Sequence, residues 1–153
     1  MGLFSFVKDA GTKIFGKKEE IAAPAEEKKQ LRAHALLDYV KSLGLQYQTI
    51  KVTVTDDDVK VEGKVAEQAD AEKIILAIGN VEGVDKVENL MEVVTPAPQA
   101  KYHTVVKGDT LSKISKTFYG DAMKYPVIFE ANKPMLSNPD KIYPGQVLRI
   151  PNL

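Results

Sequence analysis

Residue types that do covalent chemistry are scarce in this chain. Cysteine is absent, and the two histidines are His34 and His103. A nucleophile needs a base within hydrogen-bond reach, and neither histidine stands in a G-x-S-x-G or H-E-x-x-H arrangement. No glycine-rich run of the kind that cradles phosphate occurs. The acidic triplet Asp56-Asp57-Asp58 raises calcium, which takes closely spaced carboxylates. Counted from Asp56, an EF-hand loop wants Gly sixth and Glu twelfth. Glu67 fits the twelfth place, but Val61 fills the sixth and Lys60 the fifth. The triplet therefore reads as a solvated turn, and the chemistry open to the chain is binding rather than catalysis.

The elements that must position a binding group follow from the hydrophobic period. Leu3, Val7, Ala10 and Ile14 recur at helical spacing, with Phe6 and Phe15 beside them. Gly11 and Gly16 interrupt that helix, so the expectation is a terminal segment packing its aromatic side chains on the body of the protein. Within residues 1–25, Lys17 to Ala25 reads as a charged linker containing Pro24. A helix is predicted from about Glu26 to Leu43, with Ala33, Leu36, Val40 and Leu43 as its apolar stripe and Gly44 as its left-handed stop.

The period then changes to two. Ile50, Val52 and Val54, and beyond the acidic turn Val59, Val61 and Val65, alternate with polar residues as in a hairpin with one wet face. A second helix from Glu67 to Ile78 buries Ala71, Ile74, Ile75 and Ile78, and a strand from Lys86 to Val94 follows. This α-β-β-α-β order over residues 26–94 predicts both helices on one face of a three-stranded sheet. Residues 95–101, with Pro96 and Pro98, read as an extended linker. Residues 102–153 run β-α-α-β. Tyr102 to Val106 is a strand, Asp109 or Thr110 caps a helix closed by Gly120, and Pro126 opens another. A Pro144-Gly145 turn precedes the strand from Val147 to Ile150. The fold class is α+β, in two small domains.

Lys plus Arg and Asp plus Glu number 21 each, so net charge gives no attraction to nucleic acid. Residues 1–95 carry 13 basic and 17 acidic side chains, whereas residues 96–153 carry 8 and 4. Opposite net signs favour the halves lying against each other, within the limits of salt screening. The absence of cysteine leans toward a reducing compartment. The apolar start Met1 to Val7 is broken by Lys8 and Asp9, too soon for a secretory signal. No stretch approaches the roughly 20 apolar residues of a membrane span. A myristoylation start would want Ser or Thr where Phe6 stands. The expectation is a cytoplasmic protein without stable membrane insertion.

The run Tyr102-His103-Thr104-Val105-Val106-Lys107-Gly108-Asp109-Thr110-Leu111-Ser112-Lys113-Ile114-Ser115 resembles the start of a LysM domain. Its close is matched by Ile128-Phe129-Glu130-Ala131-Asn132 and by Ile142-Tyr143-Pro144-Gly145-Gln146-Val147-Leu148-Arg149-Ile150-Pro151. LysM domains commonly bind N-acetylglucosamine polymers such as peptidoglycan or chitin in a groove between two loops. The resemblance puts that groove at Gly108, Asp109, Thr110 and Leu111 on one side, and at Asn138, Pro139, Asp140, Lys141 and Ile142 on the other. As residues alone, Gly108-Asp109-Thr110 is equally a turn and a helix cap. Residues 26–94 resemble a BON domain through Val61-Glu62-Gly63-Lys64-Val65 and Val81-Glu82-Gly83-Val84-Asp85-Lys86-Val87-Glu88-Asn89. Such modules are thought to touch phospholipid or partner proteins. The pair of modules, opened by Met1-Gly2-Leu3-Phe4-Ser5-Phe6-Val7-Lys8-Asp9-Ala10-Gly11, resembles the BON–LysM cytoplasmic potassium-binding protein family over nearly the whole length. The chain departs from that family in the linker after Gly11 and in Asp56-Asp57-Asp58.

That resemblance implies reversible K⁺ binding coupled to a change of shape. K⁺ is large and weakly hydrated, and is best held by several carbonyl oxygens that replace its water. Carboxylate clusters suit divalent ions instead. The end of the second helix leaves up to four carbonyls unpaired at the negative end of its macrodipole. With the resemblance as guide, the ion is expected at the backbone carbonyls of Val7, Ala10, Thr12, Gly79 and Val81, the N-terminal segment folding back over the loop from Gly79 to Gly83. An ordinary helix stop beside an ordinary tail is the alternative. The function expected is a monomeric K⁺ sensor or buffer. Two other readings stay open: an envelope protein that binds peptidoglycan through the LysM groove, and an adaptor whose LysM face grips a protein.

Overall fold

The computed structural model describes residues 2–15 and 23–152, so Lys17 to Ala22 of the expected linker lie outside the described residues. Strands β1 (Gly2–Ser5), β2 (Thr49–Thr55), β3 (Asp58–Glu67) and β4 (Lys86–Thr95) form one sheet in the order β1-β4-β3-β2. Helices α1 (Ala25–Ser42) and α2 (Gln68–Gly79) join β1 to β2 and β3 to β4. β2 and β3 make the expected antiparallel hairpin, while β3 and β4 run parallel with α2 as their crossover. Asp56 takes a φ of 54° at the hairpin turn, a conformation Asp tolerates better than most residues. Val59 and Val61 are buried strand residues, which removes any calcium loop.

The N-terminal segment corrects the sequence expectation twice. Gly2–Ser5 is a strand and not part of a helix, and the sheet has four strands rather than three. It pairs antiparallel with β4, Gly2 opposite Asn89 and Ser5 opposite Lys86. The edge of β4 offers a row of unpaired N–H and C=O groups, and satisfying them outweighs a helical period that Gly11 breaks. The expected aromatic packing holds. Phe6 is buried, and Phe4, Ile14 and Phe15 pack partly buried on the same core.

Leu36 and Val40 of α1 are buried with Ala33 and Leu43 partly so, and Gly44 adopts the left-handed stop at φ 73°. In α2 the predicted Ala71, Ile74, Ile75 and Ile78 are fully buried, but so are Glu72, Leu76, Ala77 and Gly79. A helix covered on all sides needs a second partner beyond its sheet. That partner is the C-terminal module.

This module contains β5 (Lys101–Thr104), α3 (Leu111–Tyr119), a 3₁₀ turn (Ala122–Lys124), α4 (Tyr125–Ala131) and β6 (Val147–Ile150), with β5 and β6 antiparallel. Thr110 caps α3 by accepting the Lys113 N–H at 3.2 Å, and Gly120 ends it at φ 73°. Val105, Leu111, Ile114, Ile128, Leu136, Leu148 and Ile150 make its own core. Along β6 the side chains alternate, as a strand requires. Val147 enters the core of the first module, and Leu148 enters that of the second. The connection between modules is tied down at its end, where the buried Ala100 donates its N–H to Glu72 Oε2 at 3.2 Å.

Candidate functional site

The last turn of α2 gives the arm of residues 6–12 its seat. Asn80 caps the helix by returning its N–H to the Ile78 and Leu76 carbonyls, and the Val81 N–H goes to Ile78 at 3.3 Å. The next two N–H groups leave the helix. Glu82 donates to the Thr12 carbonyl at 2.9 Å and Gly83 to the Lys8 carbonyl at 2.7 Å, while Thr12 donates back to the Asn80 carbonyl at 2.9 Å. Thr12 and Val81 thus form a short parallel bridge. The Phe6 N–H closes the other end of the arm on Asp85 at 2.7 Å. Two glycines permit the approach. A Cβ on Gly79 would overlap the Phe6 ring, and one on Gly11, whose φ is 116°, would overlap the Asn80 carbonyl.

This pairing decides which carbonyls are left over. Among the described residues, no backbone N–H reaches the Ala10 or Gly79 carbonyl. The Val7, Thr12 and Val81 carbonyls each accept one N–H, from Ala10, Glu82 and Val84 respectively, and each keeps a second lone pair. All five oxygens expected from the sequence therefore lie on two segments that hydrogen bonds hold together. Backbone oxygens at the negative end of a helix suit a weakly hydrated monovalent cation. Among the described residues there is no cluster of three or more His, Asp or Glu side chains fit for a divalent metal.

Sequence reasoning missed what lies on the far side of this loop. The Asn80 side chain reaches β6 and behaves like an extra peptide unit. Its Oδ1 accepts the Val147 N–H at 2.8 Å and its Nδ2 donates to the Val147 carbonyl at 2.8 Å. Gly145, in the turn before β6, lies directly on the arm, since a Cβ there would stand 2.7 Å from that of Ala10 and 3.3 Å from that of Val7. Farther along α2, the buried Glu72 accepts from Arg149 Nε at 2.7 Å. Tyr102 packs edge-on against Phe4, ring centres 5.3 Å apart, and burial pushes its phenol well above the ordinary value. One signal was available in advance: from Ala71 to Gly79 the charged residues are Glu72 and Lys73 alone, and every other residue is apolar or glycine. Asp57 also has a role that the triplet did not announce. Its carboxylate pairs with Lys8 at 2.6 Å and its carbonyl accepts the Asp85 N–H, so the hairpin turn braces the arm and the loop.

The predicted sugar-groove residues are largely occupied by the fold. Asp109 Oδ2 accepts the Val106 N–H at 3.0 Å and meets His103 Nε2 at 2.8 Å. The Val106 N–H first, and His103 second, hold its carboxyl below the usual range. Thr110 is the helix cap, Leu111 belongs to the core, and Ile142 packs against that core. Asn138 Oδ1 accepts the Asp140 N–H at 2.9 Å, which shapes the facing loop around Pro139. Gly108 is exposed with open space about it. His34 is exposed and lies 3.6 Å from Asp38. No helix among the described residues is long and apolar enough to cross a membrane.

Comparison with known proteins follows these two bodies. A BON domain model matches residues 29–95 and a LysM domain model matches residues 103–151. The potassium binding protein Kbp of Escherichia coli O6:H1 is similar at 43% identity over 152 residues, 99% of each chain. An uncharacterised protein of Deinococcus radiodurans is 35% identical over 132 residues, 78% of this chain and 51% of that protein. A stretch of 53 residues is 47% identical to part of a Mycobacterium tuberculosis esterase, covering 35% of this chain and 11% of the esterase.

Proposed function

The chain belongs to the BON–LysM family of potassium-binding proteins, and from that premise we propose that it binds K⁺ reversibly through backbone oxygens and changes shape on binding. The ligands are the carbonyls of Val7, Ala10, Thr12, Gly79 and Val81. The observation that carries this reading is the diversion of the Glu82 and Gly83 N–H groups to the arm, which leaves the Gly79 carbonyl free at the negative end of α2. An ion that lies between arm and loop exchanges its water for these oxygens. Cross-links such as Thr12 to Asn80 limit how far the oxygens can close, which disfavours the smaller Na⁺. The protein is a K⁺ sensor or buffer rather than an enzyme, acts as a monomer, and works in the cytoplasm, a location that cell fractionation checks.

Calorimetry with KCl against NaCl at constant ionic strength tests the proposal, on the full chain and on one lacking residues 1–12. K⁺ heat in the full chain and none in the truncated one is the expected result, with circular dichroism showing that both modules remain folded. Undiminished K⁺ affinity in the folded truncated protein would put the site elsewhere. A second reading, peptidoglycan binding at Asp109, Thr110 and Asn138, is favoured by the LysM match over residues 103–151. Titration with N-acetylglucosamine oligomers tests it.

A further inference from the structure

Two ties join the modules through α2, and they differ in what else they touch. Glu72 with Arg149 and the Ala100 N–H forms one tie, about two turns back from the helix end. The other is Asn80, which stands in sequence between Gly79 and Val81, two of the proposed ion ligands. Its main-chain carbonyl holds the arm through Thr12, and its buried side chain holds both polar groups of Val147. No other described side chain bonds the second module from within the ion loop. Turning the Gly79 carbonyl toward an ion rotates the peptide plane that ends at the Asn80 Cα. That rotation swings a side chain whose two hydrogen bonds to Val147 tolerate little misalignment.

We infer that Asn80 is the positioning residue that transmits K⁺ occupancy to the seating of the LysM module. The inference rests on the proposed ion site and adds its route of regulation. A helix cap that reached the other module for stability alone would have no such dependence on ion. By linkage, the module docked through Asn80 and the ion each strengthen the other by one common factor.

The chain lacks cysteine, so single Cys residues introduced at exposed Lys60 and Lys116 report the distance between modules by dye-pair energy transfer. Four full-length proteins are titrated with KCl and NaCl: the unaltered chain, Asn80→Ala, Asn80→Asp and Glu72→Gln. The unaltered chain should show a K⁺-specific change in transfer. Asn80→Ala should lose that change and bind K⁺ on the order of 10-fold more weakly. Asn80→Asp keeps an acceptor for the Val147 N–H but sets an oxygen against its carbonyl, and should fall with Asn80→Ala. Glu72→Gln loosens the modules away from the loop and should keep the K⁺-specific change. An Asn80→Ala protein with unaltered amplitude and affinity overturns the inference, as does one that folds and binds no K⁺, since the side chain would then act on the site itself. An unaltered chain that distinguishes no K⁺ from Na⁺ overturns the ion site as well.

Discussion

Replacing Gly79 by alanine adds one methyl group and sets two effects against each other. At the last position of α2, alanine is favoured over glycine by up to about 1 kcal/mol. The added Cβ overlaps the ring of Phe6, which is 8% exposed and anchors the arm in the core. Expelling that ring gives up about 1.5–3 kcal/mol of apolar burial. With the full helix gain the net loss is about 0.5–2 kcal/mol. For a chain of this size that lowers the Tm by about 2–4 °C per kcal/mol. Hydrogen exchange should speed at the Thr12, Glu82 and Gly83 amides, and K⁺ affinity should fall with them. The same substitution in a Phe6→Ala background meets no ring, so it should become neutral or stabilising by up to about 1 kcal/mol. Urea melts of the four proteins in that cycle decide the matter. Equal cost of Gly79→Ala in both backgrounds, or none in either, would refute the seat assigned to the arm.

K⁺ at millimolar concentration should raise the Tm more than Na⁺ at equal ionic strength, because a ligand held only by the native state stabilises it; equal shifts leave only screening. Arg149→Met strips the buried Glu72 of its charged partner and should cost about 3–5 kcal/mol, while Glu72→Leu added to it should recover much of the loss in the same thermal assay. Asp109 has a lowered folded pKa, so its stabilisation is complete above the ordinary value of 3.8 and is lost as pH falls through the folded value. Acid titration followed by near-ultraviolet circular dichroism should therefore show a flatter limb below that value for Asp109→Asn.

The hairpin, α1 and the β-α-α-β order of the second module were legible because each has one dry face and a clean period, and α2 was legible from its apolar run between Glu67 and Gly79. α1, α2 and β4 differ from expectation by one residue at their ends, and β3 and β5 by up to two, β5 stopping at Thr104 rather than Val106. β1 was not legible, because four residues with exposed Leu3 and half-buried Phe4 make a strand only where β4 offers an open edge. The arm's fold onto the loop was reachable from glycine positions and resemblance together. Backbone oxygens leave no side-chain signature, so spacing alone does not select Val7 over Asp9. Asn80 looked like a helix stop and is one. Its second occupation, bonding Val147, depends on a partner 67 residues away and has no local trace.

β6 places Val147 in one core and Leu148 in the next, so one four-residue strand is a wall common to both rooms. Two domains strung on a free tether melt separately, and their linker is the first place a protease cuts. Here both cores share β6, so a calorimetric scan should show one transition whose van't Hoff and measured enthalpies agree. Limited proteolysis should leave the bonds around Ala100 intact until the whole chain opens, despite the two prolines that mark the segment as a tether. A graft of this LysM module onto another carrier would bare Val147, and an early sign of that would be self-association.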